Sequence, residues 1–414
     1  MTERPWIIVG YVNVLPFIKE FAPGSVIVVD EPDVIRKCDV KNALEGAAML
    51  RGLIEWEYQL PAAADEFFAA HPDLDPAVVA PLVEYATPFA ARLAERYGLP
   101  GAGSGAAQVM RDKSLLRRVT RAAGILNPAS REVASPDGVR EFAAAHPGPL
   151  VLKPADRQAS VGTRVLHSLD GLDAVWAECT SQDEGNRVPD RERELRMLVE
   201  QYVHGEEYSV ELLVREGEVL FSNVTGKLLY PGPRPIELGH TVPAAGIPAS
   251  LSGLLVSRTE AVLRAVGFGS GMVHCEWIVS DGRPYLVECA GRFPGDGIPM
   301  LIEEAYRINL AGAFYTVMQG RRPEPLPRQA AGGAAVRFME AAPGEVVSVD
   351  GAEEAARRPD VLSLSLHLES GDTVHELRSS WDRVGSVMTR GATSADALRN
   401  AEAVVDAIRI TTVV

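Results

Sequence analysis

Short apolar runs alternate with amphipathic stretches in the first quarter of the chain. "WIIVG" (6–10) predicts a strand, "LPFIKEFA" has helical spacing, and "SVIVVDEP" (25–32) predicts a second strand ending in acids. Strand, helix and strand in this order begin a parallel α/β unit. The turn after the first strand holds Gly10 alone, so the G-x-G-x-x-G pattern of a dinucleotide site is missing. Residues 77–97 predict a helix ended by Gly98, and "GLPGAGSGAAQVM" a loop that runs into a helix. "DKSLLRRVTRAAGILNP" is amphipathic, with Asp112 as N-cap and Gly124 as C-cap.

The middle of the chain mixes the two periodicities. "PLVLKP" (149–154) predicts a strand, "ADRQASVGTRVL" a small-residue loop and another strand, and "DGLDAVWAECTS" a helix. After the polar connection "SQDEGNRVPDRERE", "LRMLVEQYV" (195–203) and "EEYSVELLVREGEVLFSNVTGKLL" predict strands, the latter folded at Glu216-Gly217. "LSGLLVSRTEAVLRAVGFG" predicts a long helix, "GMVHCEWIVSDGRPYLVECAG" a hairpin and "GIPMLIEEAYRINLAGAFYTVMQG" helix again. Beyond a Pro-rich joint (322–328) come the strands of "GGAAVRFMEAAPGEVVSV", short strands from 361 to 390, and a last helix, "SADALRNAEAVVDAIR". The pattern is a multidomain α/β and α+β chain.

Composition narrows the partners. With 414 residues, 46% hydrophobic and 23% charged, the chain suits two to four packed units. The net charge of −15 argues against a general nucleic-acid or anionic-membrane surface, though a local basic pocket can still take a small polyanion. Four scattered cysteines without C-x-x-C spacing suit a reducing cytoplasm and give no zinc signature. "MTERPWIIVGYVNVLPF" makes a poor signal peptide and is too short to span a bilayer.

Within the predicted hairpin, Glu276 and Glu288 flank the turn Ser280-Asp281-Gly282. A two-residue loop would put them on opposite faces. A three-residue loop would put them on one face as diagonal neighbours, about 7–8 Å apart. On one face they suit Mg²⁺, which takes one or two protein carboxylates and completes its shell with phosphate and water; the competing reading is a solvated polar face. Lys113 opens a helix and Lys153 closes a strand, places where lysines pair with phosphates as well as with solvent. The loop at 155–164 has one glycine, Gly162, and there is no Walker motif. In "LVEQYVHGEEYSVE" the backbone would serve an adenine, with one acid on its amino group and a second on ribose hydroxyls.

Taken in order, "DKSLLRRVTRAAGI", "VLKP" with its small-residue loop, "LVEQYVHGEEYSVE", "HCEWIV" and "LVECAGR" resemble the ATP-grasp superfamily of carboxylate–amine ligases. The resemblance runs from about residue 80 to the C-terminus. "TGKLLYPGPRPIELGHTVPA" and "RFPGDGIP" look most like the branch of L-amino acid ligases. It implies an ATP-grasp fold with a Rossmann-like pre-ATP domain (1–108), an ATP-grasp domain (109–330) with a lid at about 126–199, and a small α+β domain (331–414).

The resemblance also implies roles. Lys113 and Lys153 would hold ATP phosphates beneath the 156–163 loop with Ser160, Val161 and Gly162. Glu200, Gln201 and Val203 would line the adenine, and Glu207 would take the ribose. Glu276 and Glu288 would bind one or two Mg²⁺, with Mn²⁺ as a substitute. Arg292 would face the acyl phosphate or the substrate carboxylate. Lys227, Glu237, His240, Gly295 and Asp296 would lie among the substrates, and His274 and His240 are candidates for a base. Where the family often reads Glu-x-Asn-x-Arg, this chain has Ala290, which coordinates nothing. The implied activity is ATP-dependent amide formation in a cytoplasmic homodimer. Two readings compete with it: a non-catalytic ATP-binding protein of the same fold, and a ligase or carboxylase for a substrate other than an amino acid.

Overall fold

The computed structural model describes residues 4–10, 21–181, 184–192 and 194–413. The helix expected over "LPFIKEFA" lies, apart from Phe21 and Ala22, outside the described residues. The first sheet is wholly parallel: β1 (Trp6–Val9), β2 (Val26–Asp30), β3 (Leu50–Glu55) and β4 (Val78–Pro81), in the order β3-β2-β1-β4. Its β1 and β2 are buried from end to end, as strands covered on both faces must be. Ile7, Val9, Ile27 and Val29 pack on the helices Ala63–Ala70 and Thr87–Arg96. Trp6, Ile8, Val26 and Val28 face the core shared with the rest of the molecule.

The helix expected over 77–97 is corrected by β4. Val78-Val79-Ala80-Pro81 is a strand beside β1, and the helix begins only at Thr87. A short apolar run buried on both faces carries no periodicity to separate strand from helix.

The second sheet is antiparallel, β5 (Ser130–Val133), β6 (Leu150–Pro154), β7 (Arg164–Leu166) and β8 (Met197–Gln201), ordered β5-β8-β6-β7. With the helices Pro136–Ala145 and Leu172–Ser181 it encloses its own core around Val139, Phe142, Leu150 and Leu152. The amphipathic helix Lys113–Ala122 leads into it. Asp112 caps that helix by accepting from the Leu115 N–H at 3.0 Å.

The central sheet has eight strands: β9 (Glu206–Arg215), β10 (Glu218–Leu229), β11 (Glu237–Val242), β12 (Gly271–Ser280), β13 (Arg283–Ala290), β14 (Gly333–Met339), β16 (Val361–Leu366) and β18 (Gly385–Gly391). Their order is β13-β12-β9-β10-β11-β14-β18-β16. Strands from both sides of the Pro-rich joint therefore share one sheet, through β11 and β14. A last small sheet, β17-β15-β19, joins β15 (Gly344–Asp350), β17 (Thr373–Val374) and β19 (Arg409–Val413). The final helix ends at Ala407, and the following Arg409–Val413 is this unanticipated strand.

The hairpin β12–β13 settles the register of the two acids in a third way. Its loop is the two-residue Asp281-Gly282, both left-handed (φ 49° and 72°), between paired Ser280 and Arg283. Trp277 still faces Leu286 in that register, but Glu276 faces Glu288. The register shift leaves Val287 as an extra residue in β13, a bulge that turns the acids onto one face as direct partners.

Candidate functional site

Glu276 and Glu288 open onto a cleft of about 210 Å³ between the central sheet, the second sheet with its 156–163 loop, and the C-terminal segment. Each carboxylate has a lysine: Lys227 Nζ is 2.9 Å from Glu276, and Lys113 Nζ is 3.0 Å from Glu288. Burial opposes both charges, but these cations, with Lys113 nearest Glu288 and Lys227 nearest Glu276, hold both carboxyls below their usual range. Ala290 pairs with His274 across the strands and supplies no ligand. Two carboxylates side by side fit a hard cation whose shell phosphates complete. Among the described residues no group of three or more His, Cys, Asp and Glu could hold a metal ion by itself.

Lys227, with a side chain 3% exposed, lies among Glu207 (3.7 Å), Glu237 (3.4 Å) and Glu276. Burial alone would lower its pKa, yet the three acids hold it well above the ordinary lysine value. It therefore stays cationic and serves as a fixed positive charge.

His274 is corrected as a base. One ring nitrogen is 3.0 Å from Glu211 and the other 3.1 Å from Glu276. Burial opposes its charge, but the two acids outweigh it and push its pKa up to about 10. An imidazolium between two carboxylates orients Glu276; it does not accept protons at neutral pH. Glu211, whose other oxygen accepts from Asn223 and Thr225 (each 2.7 Å), is a buried acid the sequence reading passed over. It shares the inward face of β9 with Glu207 and Ser209, so strand alternation was a usable signal.

Glu200 lines the cleft with its carboxylate paired to Arg117 Nε (2.7 Å) and Lys153 Nζ (2.6 Å). Burial opposes the charge, but Arg117 and Lys153 hold its pKa at about 2. Gln201 and Val203 do line the cleft, beside Tyr202 and the apolar Val151, Ile278 and Val287.

The loop at 156–163 compensates for its few glycines with strained backbone: Ala159 and Ser160 are left-handed (φ 56° and 58°) alongside Gly162 (φ 68°). Ser160 lines the cleft while its hydroxyl donates to the Pro235 carbonyl at 2.7 Å. Val161 and Gly162 are corrected: neither lines the cleft, and a Cβ on Gly162 would stand 2.6 Å from the Cys179 carbonyl behind it. The segment that carries the second sheet is docked on both sides. Arg191 pairs bidentately with Glu31 of the N-terminal unit (both bonds 2.8 Å), and the Ser380 N–H donates to the Ala159 carbonyl at 3.1 Å.

At the other end of the cleft, Arg292 donates through Nε to Glu84 (2.5 Å) and through Nη1 to the Phe293 carbonyl (2.7 Å). Asp296 is corrected as an amine contact. Left-handed at φ 57°, it takes a fork from Arg383 (2.5 and 3.1 Å) and lies 2.9 Å from His240 Nε2. His240 Nδ1 is buried without a hydrogen-bond partner among the described residues. Glu237 accepts from the Ser380 hydroxyl at 2.8 Å, and Gly295 lines the wall. Arg383 and Glu84 were not anticipated: each comes from a distant segment, and only the fold brings them here.

Comparison with known proteins identifies two segments of the chain and its fold. Residues 146–300 match the ATP-grasp domain and residues 337–413 match the L-amino acid ligase C-terminal domain 2. The chain is 27% identical over 297 residues to the uncharacterized protein y4rH of Sinorhizobium fredii, covering 72% of this chain and 60% of that protein. It is 24% identical over 235 residues to the L-arginine-specific L-amino acid ligase of Bacillus subtilis, covering 56% of this chain and 55% of that one. The chain thus spans less than two thirds of the length of either relative. The solved L-amino acid ligase of Bacillus licheniformis superposes with a TM-score of 0.78 at 19% identity, over 100% of this chain and 99% of that one. The fold is ATP-grasp.

Proposed function

We propose, for a chain that carries an ATP-grasp domain followed by an L-amino acid ligase C-terminal domain, that it joins a carboxylate to an amine at the expense of ATP. The observation that supports this most is the Glu276–Glu288 pair set on one face by the Val287 bulge, with Lys113, Lys153, Lys227 and Arg292 around the same cleft. That arrangement of charge suits phosphoryl transfer, where catalysis is largely positioning and charge stabilisation.

In this reading the nucleotide enters between the lid and the central sheet, its base beside Gln201–Val203. Its phosphates meet Lys153 and Lys113, which exchange their bonds to Glu200 and Glu288 for bonds to phosphate oxygens. Glu276 and Glu288 would hold Mg²⁺, one or two ions, which offsets the charge on the phosphates. The substrate carboxylate attacks the γ-phosphorus, the bond to the β-phosphate oxygen breaks, and ADP leaves. The amine then attacks the acyl carbon of the acyl phosphate, and inorganic phosphate departs. Arg292, oriented by Glu84, stabilises the phosphate in both steps. The docked lid keeps out water that would hydrolyse the acyl phosphate. The lid at 126–199 moves as a unit in this reading, between the pre-ATP unit (1–108) and the remainder. Lys227, Glu237 and His240 line the substrate end, Glu207 stands near the ribose, and the working form is a cytoplasmic homodimer. Among the described residues no helix is long and apolar enough to cross a membrane.

The substrates are proposed to be amino acids. Purified protein given Mg²⁺ and ATP should release ADP continuously only when a carboxylate and an amine substrate are both present, carboxylate alone allowing no more than a single turnover. The product mass should equal the two substrates less one water. ADP release that ignores both substrates would leave ATP hydrolysis or simple nucleotide binding instead.

A further inference from the structure

Arg117 is among the most deeply buried charges of the chain, 1% exposed, on a helix that otherwise looks like a surface helix. All three of its guanidinium nitrogens have protein partners. Nε and Nη2 grip Glu200 (2.7 and 3.3 Å), Nη2 also donates to the Val287 carbonyl at 2.7 Å, and Nη1 reaches Asn127 at 3.4 Å. Four of its five N–H donors are thus engaged by protein, at the floor of the cleft. What it touches is more telling. Glu200 is the partner of Lys153, and Val287 is the bulge that brings Glu288 opposite Glu276.

We infer that Arg117 is a positioning residue that sets the phosphate lysine and the carboxylate pair from one guanidinium. The bulge sits in β13, the edge strand of the central sheet, where an unpaired carbonyl has no neighbouring strand to satisfy it. Leu286 is tied on that edge by its N–H to the Leu126 carbonyl (3.0 Å), and Val287 is tied by Arg117. Without the fork, nothing holds the extra residue, and the uninterrupted register of the two-residue loop would place Val287 opposite Glu276. Glu288 would then turn to the other face. At the same time Glu200 would lose the charge that fixes it beside Lys153. A lysine cannot replace the fork, because one ammonium on a flexible stem cannot hold a carboxylate and a carbonyl in two directions.

This inference rests on the nucleotide-and-metal reading of the cleft, so its test reads binding rather than turnover. Calorimetry with Mg²⁺ and ADP compares the unaltered protein, Arg117→Lys, Arg117→Met and a control, Leu116→Ala. Leu116 is fully buried on the same helix, packs in the apolar core beside Leu286 and Cys289, and carries no polar atom that could bond Glu200 or the Val287 carbonyl. Loss of such outer partners weakens binding about 10–100-fold, and both Arg117 variants should show a Kd raised by that factor. Leu116→Ala should lower the thermal midpoint and leave Kd within a factor of about two, well below that range. Arg117 variants that bind Mg²⁺ and ADP as tightly as the unaltered protein would overturn the inference alone. So would failure of both variants to fold, or an equal loss in Leu116→Ala, since Arg117 would then be structural. Unaltered protein that binds no Mg²⁺ and ADP would overturn the ligase reading and this inference together.

Discussion

Glu288→Gln is expected to lower kcat by about 10²–10³-fold while the protein keeps its fold. The substitution conserves size and removes one negative charge. Two effects add. The cross-strand partner of Glu276 ceases to be a hard anionic ligand, so the pair no longer fits Mg²⁺ with its phosphates. Lys113, 3.0 Å away, loses the acid that fixes it at the mouth of the cleft. Folding should survive, because both side chains reach solvent to some degree, 26% and 13%, and an amide can still bond to its neighbours. Equal thermal midpoints alongside the kinetic loss would check this. Near-normal turnover would end the metal assignment of the pair.

Arg292→Lys should reduce kcat/KM about 10²-fold. Arg292 is held at Nε by Glu84 and at Nη1 by the Phe293 carbonyl, two bonds in fixed directions from one planar group. Lysine keeps the charge and loses the fork. Its ammonium can stay with Glu84 or reach the transferring phosphoryl group, and cannot do both. Steady-state rates with saturating ATP and varied carboxylate substrate would check this. Full activity in the lysine variant would exclude a directed, bidentate role.

The pairing around these groups explains how a cleft with so many charges persists. Arg117 and Glu200 are both buried, and removing one partner of such a pair typically costs about 3–5 kcal/mol, because the other charge is left uncompensated. Lys227 among Glu207, Glu237 and Glu276 follows the same logic, as does Asp296 between His240 and Arg383. The site is assembled as clusters in which every buried charge has an opposite partner, and in the proposed reaction the nucleotide enters by exchange of those partners.

Much of this was legible in the sequence. The parallel β1–β2 start, the Asp112 cap, the turn at Glu216-Gly217, a hairpin turn within 280–282, and the acids on β12 and β13 follow from periodicity and turn chemistry. What stayed hidden depends on tertiary contacts. "VVAP" carries no sign of a strand in its own pattern, because strands buried on both faces lose their alternation. Loop length alone gave two registers for Glu276 and Glu288. The observed one needs a bulge whose carbonyl is held by Arg117, some 170 residues upstream. His274 looked like a base, and only its position between Glu211 and Glu276 shows that its proton is held. Asp296 looked available for an amine until Arg383 arrived from the C-terminal segment.

In a reaction through an acyl phosphate, a carboxylate oxygen leaves with the phosphate. A carboxylate substrate labelled with a heavy oxygen isotope tests it in one measurement. The prediction is that each amide formed releases one inorganic phosphate carrying a single labelled oxygen, with ADP unlabelled. Unlabelled phosphate accompanying amide formation, or label in AMP, would contradict it.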